Sequence, residues 1–600
     1  MKHRIRKLTS LLLSLSLISA LTLPAAASNA LGEDLSAKDT LLHQETQLST
    51  NVFWSTTYSD LRTENLITYT PNKAVTPIVT YGDALTDRSS VADTAALLED
   101  DGYRVVAGIN GDFYNVSTGL PIGMVVTEGL LRSSDAGYYA IGFRADGSAI
   151  LGKPGVKVSA NLGYAVDDGF GNSTELVRPV AAVNKARTNS GLYLYTYDFN
   201  AKHTTGTTEP GINVVCTVEQ GKLAIGSTVT LRVDRVEETA VTSLAPDQIV
   251  LSANLQADSY YTTALQNIPQ GSELTLTVSA NDGWEDVEYA IGALYCLAEN
   301  GAVVPNLAAG SNPRTAVGQK ADGTLVFYTI DGRKTGYSIG ASLSQVGERL
   351  LELGCQTVLC LDGGGSTALV ATQPDSTTAS LVNKPSGGSE RAVTNHLFLV
   401  ADSRPTNSVG HVYLESESTR VLPNAQVKLS ATALDTNYIP MSSQDVTLRA
   451  DRGTIDSNVL TAPESGTVTV TARAGGASTE LEIEVVTQPD SISVRQNGKA
   501  VSAITVSAGE TAKLTASAMY RHLPVLGDNK GFTWTAQGNV GTIENGVFTA
   551  SGSIGSGSVT ASLGRISVTV PVTVTARSTA LRPRSRPRPA RVRCSPTTVR

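Results

Sequence analysis

A chain of 600 residues is too long for one domain, and a formal charge of −8 spread over that length singles out no polyelectrolyte partner. No nucleic-acid partner is expected. Five cysteines (Cys216, Cys296, Cys355, Cys360 and Cys594) exclude a disulfide scaffold, because domains of this size bury enough core without staples.

Residues 1–27 read as a signal peptide. Lys2, Arg4, Arg6 and Lys7 supply the positive start, residues 8–23 the apolar run, and Ala25-Ala26-Ala27 the small-residue cleavage site. The run is short and broken by four serines, so it is not read as a spanning helix, and no later segment is long and apolar enough to cross a bilayer. A secreted or cell-surface protein is expected. Residues 31–88, with strand-like pieces such as Leu66-Ile67-Thr68-Tyr69, read as an N-terminal lead into a larger domain over 89–402.

That domain opens with a helix signal. Ser90 and Asp93 suit an N-terminus, and Gly102 suits the stop. A strand over 103–109 then delivers Asn110-Gly111-Asp112-Phe113-Tyr114. Residues 156–280 alternate strands and turns and read as a β-rich insertion in which no acid, histidine or basic cluster stands out. Next comes Asn312-Pro313-Arg314-Thr315-Ala316-Val317-Gly318, followed by a hairpin with Asp322-Gly323 at its turn and Asp331-Gly332-Arg333 at its end. An arginine just before a strand is, taken alone, a solvated surface charge.

The opening grammar then repeats. Leu343, Val346, Leu350 and Leu353 share a helix face, Ser342 and Gln345 have capping-box spacing, and Gly354 is a stop. An apolar run over 357–361 leads into Asp362-Gly363-Gly364-Gly365-Ser366-Thr367. Glycines at a strand tip let the backbone approach a ligand and turn N–H groups toward an anion, and the adjacent acid can meet a sugar hydroxyl, a metal or a reacting bond. The plain alternative is a tight turn without chemistry. Two helix–strand units that end in glycine-and-acid loops predict that both loops reach the same edge of one sheet. Ser389-Glu390-Arg391 and a strand over 395–400 close the domain.

Beyond Asp402 the helix patterns disappear. Gly453-Thr454-Ile455-Asp456 recurs as Gly541-Thr542-Ile543-Glu544, and Leu460-Thr461-Ala462 as Phe548-Thr549-Ala550. Two short-stranded modules follow, over 408–487 and 489–576, and they resemble bacterial Ig-like surface modules. Residues 577–600 hold eight arginines, four prolines and no acid. They are either a disordered tail able to cling to anionic wall polymer or a stretch that is not selected sequence.

Five pieces, taken in order, carry a resemblance to the phosphodiester glycosidase family. They are Asn110-Gly111-Asp112-Phe113-Tyr114, Arg314-Thr315-Ala316-Val317-Gly318, Asp331-Gly332-Arg333, Leu361-Asp362-Gly363-Gly364-Gly365-Ser366 and Glu390-Arg391-Ala392-Val393. The resemblance covers roughly residues 104–400. Asp112 departs from the glycine expected in many relatives, so the exact substrate is not carried over. The implied fold is an α+β catalytic domain with a mixed sheet, followed by two all-β Ig-like sandwiches. The implied activity is hydrolysis of the bond between a sugar's anomeric carbon and a phosphodiester oxygen, in a glycosyl-phosphate or cell-wall carbohydrate. The departing phosphate monoester needs cationic stabilisation, for which Arg314 and Arg391 are suited. A carboxylate must serve the oxocarbenium-like carbon or activate water, with Asp362 and Glu390 first and Asp112 third. Asn110, Thr315, Asp331, Gly363, Gly364, Gly365 and Ser366 complete the expected binding set. No cofactor is assigned, and a supporting divalent cation on Asp112 and Asp362 stays open. Two other readings remain: a metal-assisted phosphodiesterase, which would want clustered histidines where only His396 lies near the loops, and a non-catalytic binder of glycosyl phosphates.

Overall fold

Ser90 and Ser342 each open a helix as their spacing predicts. Ser90 Oγ accepts from the Asp93 amide at 3.0 Å to start the Val91–Asp100 helix, and Ser342 and Gln345 exchange the two bonds of a capping box ahead of Leu343–Glu352. Gly102 and Gly354, at φ of 94° and 93°, release the chain from the two helices into the strands Tyr103–Asn110 and Cys355–Cys360. The computed structural model describes residues 29–577 apart from 168, 171, 258 and 403, so the signal peptide and the arginine-rich tail lie outside the described residues. These residues form two compact units that divide near residue 403.

In the first unit, an eight-stranded sheet runs in the order Glu33–His43, Thr46–Ser55, Asp60–Tyr69, Leu325–Ile330, Arg314–Lys320, Cys355–Cys360, Tyr295–Glu299, Ala302–Val303. A five-stranded sheet has the order Ser380–Leu381, Leu369–Ala371, Tyr103–Asn110, Asn395–Asp402, Val75–Tyr81. A third, centred on Val287–Ala293, adds Val125–Thr127 and Tyr139–Arg144. One core joins all three, with Ile67, Val317 and Leu359 from the first, Val106, Ile109 and Leu397 from the second, and Val125, Ile141 and Ile291 from the third. The Leu343–Glu352 helix covers the outer face of the first sheet through Leu343, Val346 and Leu350. The Val91–Asp100 helix covers the second through Val91 and Ala95.

Four expectations change here. Every described strand pair in these three sheets is antiparallel, so the mixed sheet is replaced by antiparallel ones. With 53% strand and 7% helix, the chain is mostly β, and its two helices of ten residues only cap sheet faces. The strands that deliver Asp112 and Asp362 belong to different sheets, not to one edge of one sheet. Residues 31–88, read as a lead, supply three strands of the large sheet and one of the second, because alternating side chains such as Leu48, Phe53 and Ile67 are needed to bury those faces.

The β-rich insertion is a closed seven-stranded barrel over Lys157–Ser279, in the order Lys157–Asp167, Ser173–Val183, Leu192–Thr196, Gln248–Asn254, Gly211–Gln220, Thr228–Thr239, Glu273–Ser279. Closure removes unpaired edges and fills the interior with Val158, Leu194, Val214, Leu231, Leu251 and Leu276.

In the second unit, residues 408–487 form two four-stranded sheets, and residues 489–576 form two four-stranded sheets and one of three strands. The repeated motifs are equivalent hairpins, Thr454–Asp456 with Val459–Thr461 and Gly541–Glu544 with Val547–Ala550.

Candidate active site

The two glycine-and-acid loops meet although their strands lie in separate sheets. The Asp362 amide donates to Gly111 O at 3.0 Å, and Asn110 Nδ2 donates to Asp362 O at 2.6 Å. Asn110 Oδ1 accepts from Thr315 Oγ1 at 2.9 Å and from the Ala368 amide at 3.1 Å. Asn110 and Thr315 are fully buried, so they clamp strand ends together and do not reach a ligand. Asp331 is likewise spent. Its carboxylate accepts from Asn383 Nδ2, the Lys384 amide and Tyr337 Oη, each at 2.8 Å. Burial raises its pKa and these three donors oppose the rise.

Gly364–Ser366 make a short 3₁₀ turn, and this turn is where the site opens. Gly364 sits at φ 64°, which a side chain would strain, and a Cβ on Gly365 would fall 2.3 Å from Arg391 Nη2. The expected anion cradle of three amides is smaller than the glycines suggest. The Gly364 amide donates to Pro313 O at 2.9 Å, and the Gly363 amide serves the Asp362 carboxylate. What remains around the turn is side-chain chemistry. Arg391 Nη1 donates to Ser366 Oγ at 3.3 Å. Burial raises the Asp362 pKa, while Ser366, Arg391 and the Gly363 amide stabilise its anion. Asp362, Ser366 and Arg391 thus form one hydrogen-bonded and electrostatic group at the loop.

Arg314 and Glu390 fall elsewhere than expected. Arg314 Nε donates to Ala341 O at 3.2 Å and Nη2 to Gly310 O at 2.9 Å, so much of its guanidinium braces the loop behind Gly363. Glu390 Oε2 accepts from the Ala92 amide at 3.3 Å, and burial raises its pKa against the bonds from Ala92 and Val91. Its carboxylate caps the Val91–Asp100 helix, where the helix dipole favours an anion. It is not brought into the group formed by Asp362 and Arg391.

Asp112 lies beside Asp362 but beneath the surface, at 2% exposure. Its amide donates to Asn395 Oδ1 at 2.8 Å and its Oδ2 accepts from the Gly123 amide at 2.8 Å, while Oδ1 is buried without a partner. Gly123 and Gly292 leave the room, since a Cβ on either would sit 2.5 Å or 2.4 Å from Oδ2. Desolvation pushes the acid up to about 7, opposed by the Phe113 and Gly123 amides and by Lys185, and aided by Asp362. Lys185 comes from the barrel, where Asn184, in a left-handed conformation, turns the chain out of a strand. Its ammonium donates to Pro121 O at 2.7 Å and to Ile122 O and Gly123 O at 2.8 Å. Burial pulls it down to about 7, and Asp112 and Asp135 resist.

Sequence reading missed Lys185 and Asn395, because a lone lysine or asparagine beside a strand has no local signature. Arg333, quoted in a motif but assigned no role, also stands at the turn. Its Nη2 lies 3.3 Å from where a Cβ of Gly364 would be. Among the described residues no group of three or more His, Cys, Asp or Glu is gathered as a metal site.

Residues 229–400 match the family model described as phosphodiester glycosidase. The match spans Arg314, Asp331, the glycine turn, Glu390 and Arg391, and begins after Asp112 and Lys185. Over 97 residues the chain is 36% identical to the SPbeta prophage-derived uncharacterized protein YomE of Bacillus subtilis (strain 168), covering 16% of this chain and 14% of that protein. The chain therefore spans about one seventh of the curated relative it matches. Among solved structures it is similar to a hypothetical protein from Synechocystis, at 16% identity and a TM-score of 0.48, over 61% of this chain and 64% of that one. It is also similar to the zebrafish N-acetylglucosamine-1-phosphodiester alpha-N-acetylglucosaminidase catalytic domain, auto-inhibited by its pro-peptide. That likeness is at 14% identity and a TM-score of 0.31, over 61% of this chain and 87% of that one.

Proposed function

Residues 229–400 belong to the phosphodiester glycosidase family, and from that premise we propose that the chain hydrolyses the sugar–phosphate bond of a glycosyl phosphodiester outside the cytoplasm. The observation that carries this reading is the single group in which Asp362, Ser366 and Arg391 meet on the glycine turn. Arg391, which buried Ser366 positions on the turn, holds the phosphate and stabilises the charge that grows on it as the bond to the anomeric carbon breaks. Asp362, on the other side of Ser366, supports the positive charge on that carbon or takes a proton from the attacking water. Because the departing monoester is a good leaving group, no strong acid is needed to expel it. Asp112, pushed up to about 7 by burial, carries only part of a negative charge at neutral pH and so limits the repulsion on Asp362. The C-terminal modules act as Ig-like spacers that hold the domain at a wall or surface.

Hydrolysis of a synthetic glycosyl-1-phosphate diester in ¹⁸O-water tests the reading. Free sugar carrying the label means attack at carbon. Label in the phosphate means P–O cleavage and replaces this proposal with a phosphodiesterase, and tight binding without any turnover replaces it with a binding protein. Asp362→Asn is expected to lower kcat/KM by about a thousandfold, or roughly 4 kcal/mol of transition-state stabilisation.

A further inference from the structure

The wall beside the glycine turn carries more positive charge than one phosphodiester needs. Arg333 stands there at φ 62°, a left-handed conformation that disfavours any residue with a Cβ. Its Nε and Nη2 grip Asn312 Oδ1 at 3.1 and 2.9 Å, which fixes the exposed guanidinium against Gly364. Asn312 is itself held by a two-way bridge to Ala341, at 3.1 Å in each direction. Lys384 follows Asn383, whose Nδ2 ties that segment to the end of the turn by donating to Thr367 O at 3.2 Å. The Lys384 amide and Tyr337 Oη share Asp331 Oδ2, each at 2.8 Å, and the Lys384 Nζ lies 4.2 Å from the centre of the Tyr337 ring. Buried Asp331 thus ties the segment that bears Arg333 to the segment that bears Lys384.

Among the described residues, none of Arg314, Arg333, Lys384 and Arg391 forms an ion pair with a carboxylate. Burial makes the charge on Arg314 less favourable, and the nearby Arg333 guanidinium adds to that cost. Such a rim is uncomfortable when empty. A phosphodiester brings one negative charge, which Arg391, positioned by Ser366, already meets. Arg333 and Lys384 are left over, held rigidly and facing solvent.

We propose that Arg333 and Lys384 form a second anion subsite on the leaving-group side, so that the preferred substrate carries a further phosphate or carboxylate on its aglycone. This rests on the glycosyl-phosphodiester reading above. A polyanionic chain would be gripped at two successive charges, while a diester with a neutral aglycone would be gripped at one.

The test compares kcat/KM of the full chain for two diesters of one sugar, one with a methyl aglycone and one whose aglycone bears a second phosphate. The second is expected to be favoured about tenfold at low salt, the value of one or two charge-assisted contacts, and less at high salt. In Arg333→Gln/Lys384→Gln that ratio falls to about one, and Lys384→Gln alone, an exposed change that leaves the backbone at Arg333 untouched, removes part of it. No preference in the wild type overturns the proposal. So does an equal loss on both diesters, which would mean that these cations serve the scissile phosphate or the fold. If neither diester is turned over, the catalytic reading fails by itself, and calorimetric titration with inorganic tripolyphosphate decides the subsite. Binding that weakens at least about fivefold in the double variant supports it, and no binding by the wild type overturns it.

Discussion

Asp112→Asn isolates the cost of the buried carboxyl. An acid held up to about 7 instead of near 3.8 disfavours its charged form by about 4 kcal/mol, at roughly 1.4 kcal/mol per pH unit. The folded-state pKa is raised, so the folded state binds the proton more tightly than the unfolded one. Below about pH 4 both states are protonated and nothing is lost. Between about 4 and 7 the unfolded chain ionises first, and the wild type loses stability with each step of pH. Above about 7 the full cost is in place. Asparagine keeps the acceptor for the Gly123 amide and puts an NH₂ where Oδ1 has no partner. That leaves an orphan much as the protonated acid does, so the variant should differ little at low pH. Lys185 loses its attraction to the acid but keeps its three carbonyls, which returns part of the gain. The variant should therefore gain about 2–4 kcal/mol on the wild type between pH 4.5 and pH 8. Native-state hydrogen exchange of the Tyr103–Asn110 strand, which belongs to the same unit, reads the opening free energy at both pH values. Parallel pH profiles for the two proteins would refute the reasoning.

Glu390→Gln should keep kcat/KM within about threefold and cost about 0.5–2 kcal/mol of stability as a lost helix cap; a hundredfold fall in activity at unchanged stability would restore its catalytic assignment. Lys185→Met takes the donor from Pro121 O and Ile122 O and leaves Gly123 O with only Ser133 Oγ at 3.3 Å, and should destabilise the first unit by about 3 kcal/mol in urea unfolding. Gly365→Ala pushes the Arg391 guanidinium out of place, so kcat/KM for a diester should drop at least about tenfold with a change in thermal midpoint of only a few degrees. A chain ending at residue 403 should keep its turnover of a small soluble diester, and normal folding with lost activity would end the spacer reading of residues 408–576.

What depends on neighbouring residues was legible in the chain. The Ser342–Gln345 capping box, the Gly102 and Gly354 stops, the Asp322-Gly323 hairpin and the repeated C-terminal hairpins each follow from the chemistry of residues a few positions apart. The meeting of the loops at Asp112 and Asp362 was expected at one edge of one sheet, and it occurs instead between strands of two different sheets. The tertiary structure alone decided which side chains the meeting leaves free. Thr315 and Asn110 became a clamp between two sheets, and Asp331 disappeared beneath Asn383, Lys384 and Tyr337. Glu390 found a helix terminus that begins almost three hundred positions earlier in the chain. Lys185, silent in the loop just past its strand, reached the carbonyls next to Asp112 only because the barrel closes and turns its rim toward them. A carboxylate or an ammonium is committed by whatever polar atoms long-range packing brings within 3 Å, and no local pattern encodes those atoms.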